Sequence, residues 1–394
     1  MRDRLSGSMI GMAIAAAAIG AVIWAPITRT SAQAPDLKTP WGEPDLQGIW
    51  TVETDTPFQR SPKYTNQEFF TEAQQEEFDK LRSTLRGRDN RGDRGSERDV
   101  SGAYNNVFGA LKRTGKRTSL IVDPPDGRIP PTTPQAQKIA AADRDFRNAL
   151  MQATQTCKLK LPGCADGKYD PTPAVARRDE LPPRYNTARM NRHDRPEDGA
   201  LADRCLTIGL PEFGAGNGGG SFRRIVQTPG GIAIAYDVGQ GQGWQRSIVM
   251  NRSPHLPAGI RQWFGDSRGH WEGNTLVIDV TNFSPKNDYR GSRENLHLVE
   301  RWTRTSPTTL EYVATNEDPT VWTRPWTVSQ EFTRQSEEEN RIYYEPRCVE
   351  GNIGFPSMMK AARQEDREFA EGRGSDPLFK DNASGFAEPD PLQE

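Results

Sequence analysis

The sequence predicts a mainly β protein. An antiparallel meander over residues 205–352 closes into a barrel, wrapped by an irregular N-terminal arm with two or three helices. Three observations carry this reading. From Phe222 onward apolar residues recur at period two, as in Ile232, Ile234 and Tyr236, and again in Leu276, Ile278 and Val280. Turn formers separate the runs at Pro229-Gly230-Gly231, Gly273-Asn274, Ser306-Pro307 and Glu339-Asn340. No helical pattern intervenes, and a meander of this kind must close or pack face to face to protect its edges.

Taken in order, residues 1–34 read as an export signal. Arg2 and Arg4 precede an apolar run from Met9 to Ala25, and Ala32-Gln33-Ala34 fits a small-residue cleavage site. Pro35 directly after that site disfavours cleavage there, so cleavage after Ala32 and retention as an N-terminal anchor both stay open. The expected location is periplasmic or secreted. Residues 35–204 form the arm. Phe69, Phe70, Ala73, Phe78, Leu81 and Leu85 are spaced as on a helix around Thr71–Leu85. Thr118–Val122 reads as a strand stopped by Asp123-Pro124-Pro125-Asp126-Gly127. Thr133 followed by Pro134 reads as an N-cap and first turn of a helix running to about Gln152. Within the meander, further strands are expected at Trp244–Met250, Leu296–Thr305, Thr309–Glu317, Val321–Phe332 and Arg341–Cys348. Residues 353–394 read as a charged helix and a polar tail.

Composition narrows the function classes. Thirty-six Gly and 30 Pro dilute a core that still holds nine Trp, which excludes collagen and coiled coil. Lys and Arg number 51 against 53 acids, so no net field points to nucleic acid or to an anionic membrane surface. The Arg-rich stretch 86–99 interleaves acids and lacks aromatics, as a solvated loop does. The four cysteines, Cys157, Cys164, Cys205 and Cys348, are an even set in an oxidising compartment. Cys157 and Cys164 flank a short Pro-Gly loop, which favours a local bridge and leaves Cys205 to pair with Cys348. No C-x-x-C or H-x-x-x-H spacing exists, so neither a metal nor another cofactor is expected.

The blocks Pro44–Thr51, Arg117–Pro130, Asp203–Leu206, Gly259–Ile278, Glu294–Arg301 and Glu317–Thr327 resemble a family of exported proteobacterial and acidobacterial proteins of no established reaction. The resemblance implies an extracytoplasmic protein. This chain has Cys348-Val349-Glu350-Gly351-Asn352 where the family block reads C-H-E-G-N, so no chemistry assigned to a histidine there carries over. Gly48-Ile49-Trp50 is also similar to the G-x-W strand of lipocalin-like barrels, whose Trp plugs the closed end.

Two nominal motifs fail on context. Gly214–Gly219 satisfies G-x-G-x-x-G, but Pro211 precedes it and a strand follows, so no helix N-terminus meets a pyrophosphate. Gly265-Asp266-Ser267-Arg268-Gly269 fits a nucleophile elbow, with Asp279 and His297 following in hydrolase order. No helix follows it, and a β-turn in which Asp266 and Ser267 bond the backbone is the expected structure.

The candidate site gathers around that turn. Asp266, His270, His297 and Glu300 are the acid–base candidates, and Arg261, Trp263, Arg268, Arg301, Trp322, Arg324 and Trp326 the ligand-binding ones. Period two places Glu300 on the apolar face of Leu296, Leu298 and Trp302, and His297 on the opposite face. A carboxylate on that face pairs with an arginine or stays protonated, and the second state suits general-acid work. Trp322, Arg324 and Trp326 share a face, as a binding wall or as an Arg–Trp ladder that latches the barrel. The leading expectation is capture, with or without conversion, of a small organic molecule in a pocket lined by Trp, Arg and Glu. An exported hydrolase, lyase or isomerase using the 265–270 turn, and an interaction protein without a pocket, are the alternatives.

Overall fold

The computed structural model describes residues 37–83, 94, 112–142, 164–165, 168–169, 201, 204–206, 209–213, 222–237, 243–251, 253–336 and 354–374. The export signal, the Arg-rich 86–99 loop apart from Arg94, the 341–348 strand and the far C-terminal tail lie outside them. The strands in chain order are β1 (Gly48–Thr51), β2 (Thr54–Asp55), β3 (Arg113–Thr114), β4 (Ile121–Asp123), β5 (Cys164–Ala165), β6 (Lys168–Tyr169), β7 (Phe222–Thr228), β8 (Gly231–Asp237), β9 (Gly243–Val249), β10 (Asp266–Glu272), β11 (Thr275–Thr281), β12 (His297–Ser306), β13 (Thr309–Glu317) and β14 (Trp326–Arg334). Helices are α1 (Glu72–Ser83), α2 (134–142) and α3 (Gly354–Ala370).

The helix starts follow from local chemistry. Thr71 and Gln74 cap α1 reciprocally, the Gln74 N–H donating to Thr71 Oγ1 at 3.2 Å and the Thr71 N–H to Gln74 Oε1 at 2.9 Å. Thr133 Oγ1 accepts from the Ala136 N–H at 3.1 Å ahead of α2. Phe78 of α1 packs with Tyr64 and Phe70 in a small cluster of the arm's own.

β1 and β7–β14 form a closed ring of nine strands, since β1 pairs with both β7 and β14. Each antiparallel pairing reverses direction, so an odd ring needs a parallel neighbour. The contact Arg268↔Val249 between β10 and β9 supplies it, and the chain returns for it through the connection 250–265. The other pairings of the ring are antiparallel, as the meander predicts. The arm is also more than a wrapping. β1 closes the ring against the Trp50↔Arg334 end of β14, and β4 pairs with the Thr327–Val328 end. Both strands come from residues assigned to the arm.

Registers align the inner face in rows across β10 to β14. One row runs Ser267, Val280, Leu298, Asn316, Trp326; the next Gly269, Ile278, Glu300, Ala314, Val328; the third Trp271, Leu276, Trp302, Tyr312, Gln330. Arg223, Ile225 and Gln227 of β7, Ile234 and Tyr236 of β8, and Arg246 and Ile248 of β9 complete the buried lining. Trp50 is fully buried, donates from Nε1 to the Leu46 carbonyl at 2.9 Å, and lies 5.6 Å from the Arg304 guanidinium. Phe58 of the arm and Phe213, which precedes β7, reach the same core, Phe58 at 5.9 Å from Trp326 and Phe213 at 5.7 Å from Tyr312.

Candidate functional site

The barrel interior holds charge. Glu300 is 0% exposed, and its Oε2 is bonded by Arg246 Nη2 while Oε1 accepts from the Tyr312 hydroxyl at 2.7 Å. Of the two states open to Glu300, the arginine-paired one is found. Burial works against the Arg246 cation, but the Glu300 carboxylate outweighs it and holds the guanidinium charged well beyond its ordinary range. Arg223, also 0% exposed, pairs with Glu212 and lies 3.9 Å over the Phe332 ring. Around this set Trp302 packs on Tyr312 at 4.2 Å and on Phe332 at 5.9 Å. Burial pushes the Tyr236 hydroxyl up to about 12 and holds the Tyr312 hydroxyl well above its ordinary value, so both stay protonated.

The outer face of β10–β13 carries a second constellation. His255 places Nδ1 at 2.9 Å from Asp266 Oδ2 and Nε2 at 2.9 Å from Asp279 Oδ1. His297 continues the chain, Nε2 at 3.2 Å from Asp279 Oδ2 and Nδ1 at 3.3 Å from Glu317 Oε2. Hydrogen bonding to Asp279 raises His297 despite partial burial, and His297 and His255 together lower Asp279. Burial opposes ionised Asp266, but the Leu256 N–H, Arg268 and His255 overcome it and hold the carboxyl below its ordinary value. These bonds fasten the 250–265 connection to the barrel wall. Among the described residues no group of three or more His, Cys, Asp or Glu is placed to hold a metal ion.

The expected single site is therefore divided. Residues 266–272 are not a turn but a strand, paired with β11 along its whole length. Turn-forming residue types yield to packing here. A Cβ at Gly269 would collide with the Met250 sulfur and with Ile248, and Asp266 bonds the neighbouring connection rather than its own backbone. Ser267 is buried on the inner face of a strand, which removes the elbow geometry. Asp266 and His297 are brought into one outer chain. His270 stands apart from it, 3.1 Å from Glu272, which Arg301 also bonds at 2.8 Å. Glu300 lies on the other side of the sheet from all of these.

The binding-wall expectations divide likewise. Arg261 and Trp263 precede β10 in the connection rather than on a strand. Arg261 donates to the Phe283 and Glu294 carbonyls, and the Trp263 carbonyl accepts from Asn287. Arg268 is held outside by Asp266 at 3.0 Å and by Ser253 at 2.6 Å. Trp322 and Trp326 are buried edge to face at 5.3 Å, but Pro325 delays the strand until Trp326, and Arg324 turns outward to pair with Asp123. Two participants were missed by sequence reasoning. Arg246 lies between Trp244 and Ile248 on an apolar strand face, the same signal that singled out Glu300. His255 lies in a loop, where no periodicity marks it.

Cys205 is disulfide-bonded, and the side chains of Cys157, Cys164 and Cys348 lie outside the described residues. Among the described residues no helix is long and apolar enough to cross a membrane. Together, ring and interior define a closed β-barrel protein with a polar, aromatic-walled inside. No protein-family profile matches the chain, and no curated protein matches it significantly. Among solved structures, a mutant of the fluorescent protein UnaG is similar at 14% identity, with 30% of this chain and 73% of that chain covered and a TM-score of 0.19. At that level the likeness carries no argument about ligand or activity.

Proposed function

We infer that this is an exported binding protein that takes a small polar organic molecule into the barrel interior. The observation that carries the reading is the fully buried Arg246–Glu300–Tyr312 set inside an aromatic wall. Stability alone does not call for it, because replacing a buried ion pair by packed apolar residues is commonly neutral or stabilising by about 1–4 kcal/mol. Polar groups converging within an apolar enclosure are what ligand recognition requires. Export rests on the leader-like residues 1–34, on the resemblance to extracytoplasmic proteins, and on the bonded Cys205, which suits an oxidising compartment. The pairings Cys157–Cys164 and Cys205–Cys348 belong to this proposal. The test is mass spectrometry of protein isolated from the cell envelope without denaturation. A mass excess that denaturation releases as a small organic compound is expected.

A further inference from the structure

Unpartnered polar atoms on the inner face are strongly biased in kind. Among the described residues, eight buried atoms there are donors only: Arg223 Nε and Nη1, Arg246 Nε and Nη1, the indole Nε1 of Trp271, Trp302 and Trp326, and Asn316 Nδ2. One, Asn316 Oδ1, is an acceptor only. Ser267 Oγ and Tyr236 OH can act either way, and Tyr236, held protonated, has its proton to give. Each buried donor left unmade costs about 1–3 kcal/mol, so a native interior calls for partners. Water serves such a lining poorly. It donates as much as it accepts, and a buried water makes about three bonds, some of which need protein acceptors. The strong acceptors of this interior, the Glu300 oxygens, are already engaged by Arg246 and Tyr312. A guest that accepts at several points and donates at none fits the surplus.

We propose that the barrel interior is a site for a compact organic acid, an aromatic or otherwise apolar body bearing a carboxylate and further oxygen acceptors. The spare guanidinium, phenol and indole hydrogens receive it. The assignment rests on the interior-binding reading above and adds the ligand's chemistry to it. Charge-assisted bonds to a carboxylate are about twice as strong as neutral ones, and two buried guanidiniums supply them. The rings of Trp302, Tyr312 and Phe332 offer the apolar body its contact. The donors are spread over β7, β9, β10, β12, β13 and β14, which suits a small acid with several oxygens better than a long hydrocarbon chain with one acidic end.

The experiment titrates the full-length protein, freed of any bound molecule, with three probes of similar size: benzoylformate, which has three acceptor oxygens and no donor, its neutral amide, and phenethylamine. Calorimetry and tryptophan fluorescence read the binding. Benzoylformate is expected to bind at least about tenfold more tightly than the other two, the worth of one charged hydrogen bond. Tyr236→Phe and Trp302→Phe remove donors with no protein acceptor. Each is expected to weaken benzoylformate by about tenfold without weakening the fold through any lost protein hydrogen bond. Equal binding of the amide or the amine overturns the organic-acid assignment and leaves interior binding standing, whereas unchanged benzoylformate affinity in both variants puts the acid outside the donor-lined interior and overturns the proposal. If no probe binds at millimolar concentration and natively isolated protein releases a donor-rich compound, only the ligand class fails. If it releases nothing, the interior-binding reading fails with it.

Discussion

Glu300 is the residue on which the interior turns. Fully buried, it offsets the Arg246 charge and accepts from Tyr312. Glu300→Gln keeps an acceptor for the tyrosine but strands a buried guanidinium without its counter-charge, so a loss of about 3–5 kcal/mol is expected in urea unfolding followed by tryptophan fluorescence. A loss below about 1 kcal/mol would show that water reaches the pair. The outer chain behaves differently because it is wet. His297 is raised, so its contribution is present in full below the ordinary value of 6.5 and lost as pH rises through its folded value. Asp279 and Asp266 are lowered from 3.8, so their contribution is present above that value and lost as pH falls through their folded values. The chain thus stabilises most between about pH 4 and 6.5. With His297 38% and Asp279 42% exposed, solvent screening keeps the effect within about 1 kcal/mol. His297→Asn is expected to lower the thermal midpoint more at about pH 5.5 than at about pH 9, and an equal drop at both would contradict the assignment.

Elements were legible where one period governed them. β7, β8 and β13 fall at the expected residues because an apolar inner row and a clear turn agree. β10 was not, since Gly265-Asp266-Ser267-Arg268-Gly269 has turn composition and its strand state comes from pairing with β11 and from close packing at Gly269. Glu300 announced itself by face, and the strand that supplies its arginine partner lies some fifty residues earlier in the sequence, beyond any local pattern. β1 is too short to be read by periodicity, yet it closes the ring. Removing the segment through Thr51 would leave β7 and the C-terminal half of β14 as open edges. A chain beginning at residue 53 is expected to elute as aggregates in size-exclusion chromatography. A monodisperse species with an unchanged near-ultraviolet spectrum would show that the ring does not need its first strand.

At the scale of the whole molecule, a nine-strand ring encloses two arginines, a glutamate and unpartnered donors behind aromatic rings, with Phe58 of the arm and Phe213 ahead of β7 packed against that core. The outer His–carboxylate chain ties the 250–265 connection to the wall, and β1 closes the ring between β7 and β14. The unpartnered donors of the interior call for an occupant other than protein. Native mass spectrometry of envelope-isolated protein, before and after denaturation, tests that most directly. One stoichiometric small organic molecule, lost on denaturation, is the expected result. A mass equal to the polypeptide alone under both conditions, from protein never exposed to denaturant, would contradict it.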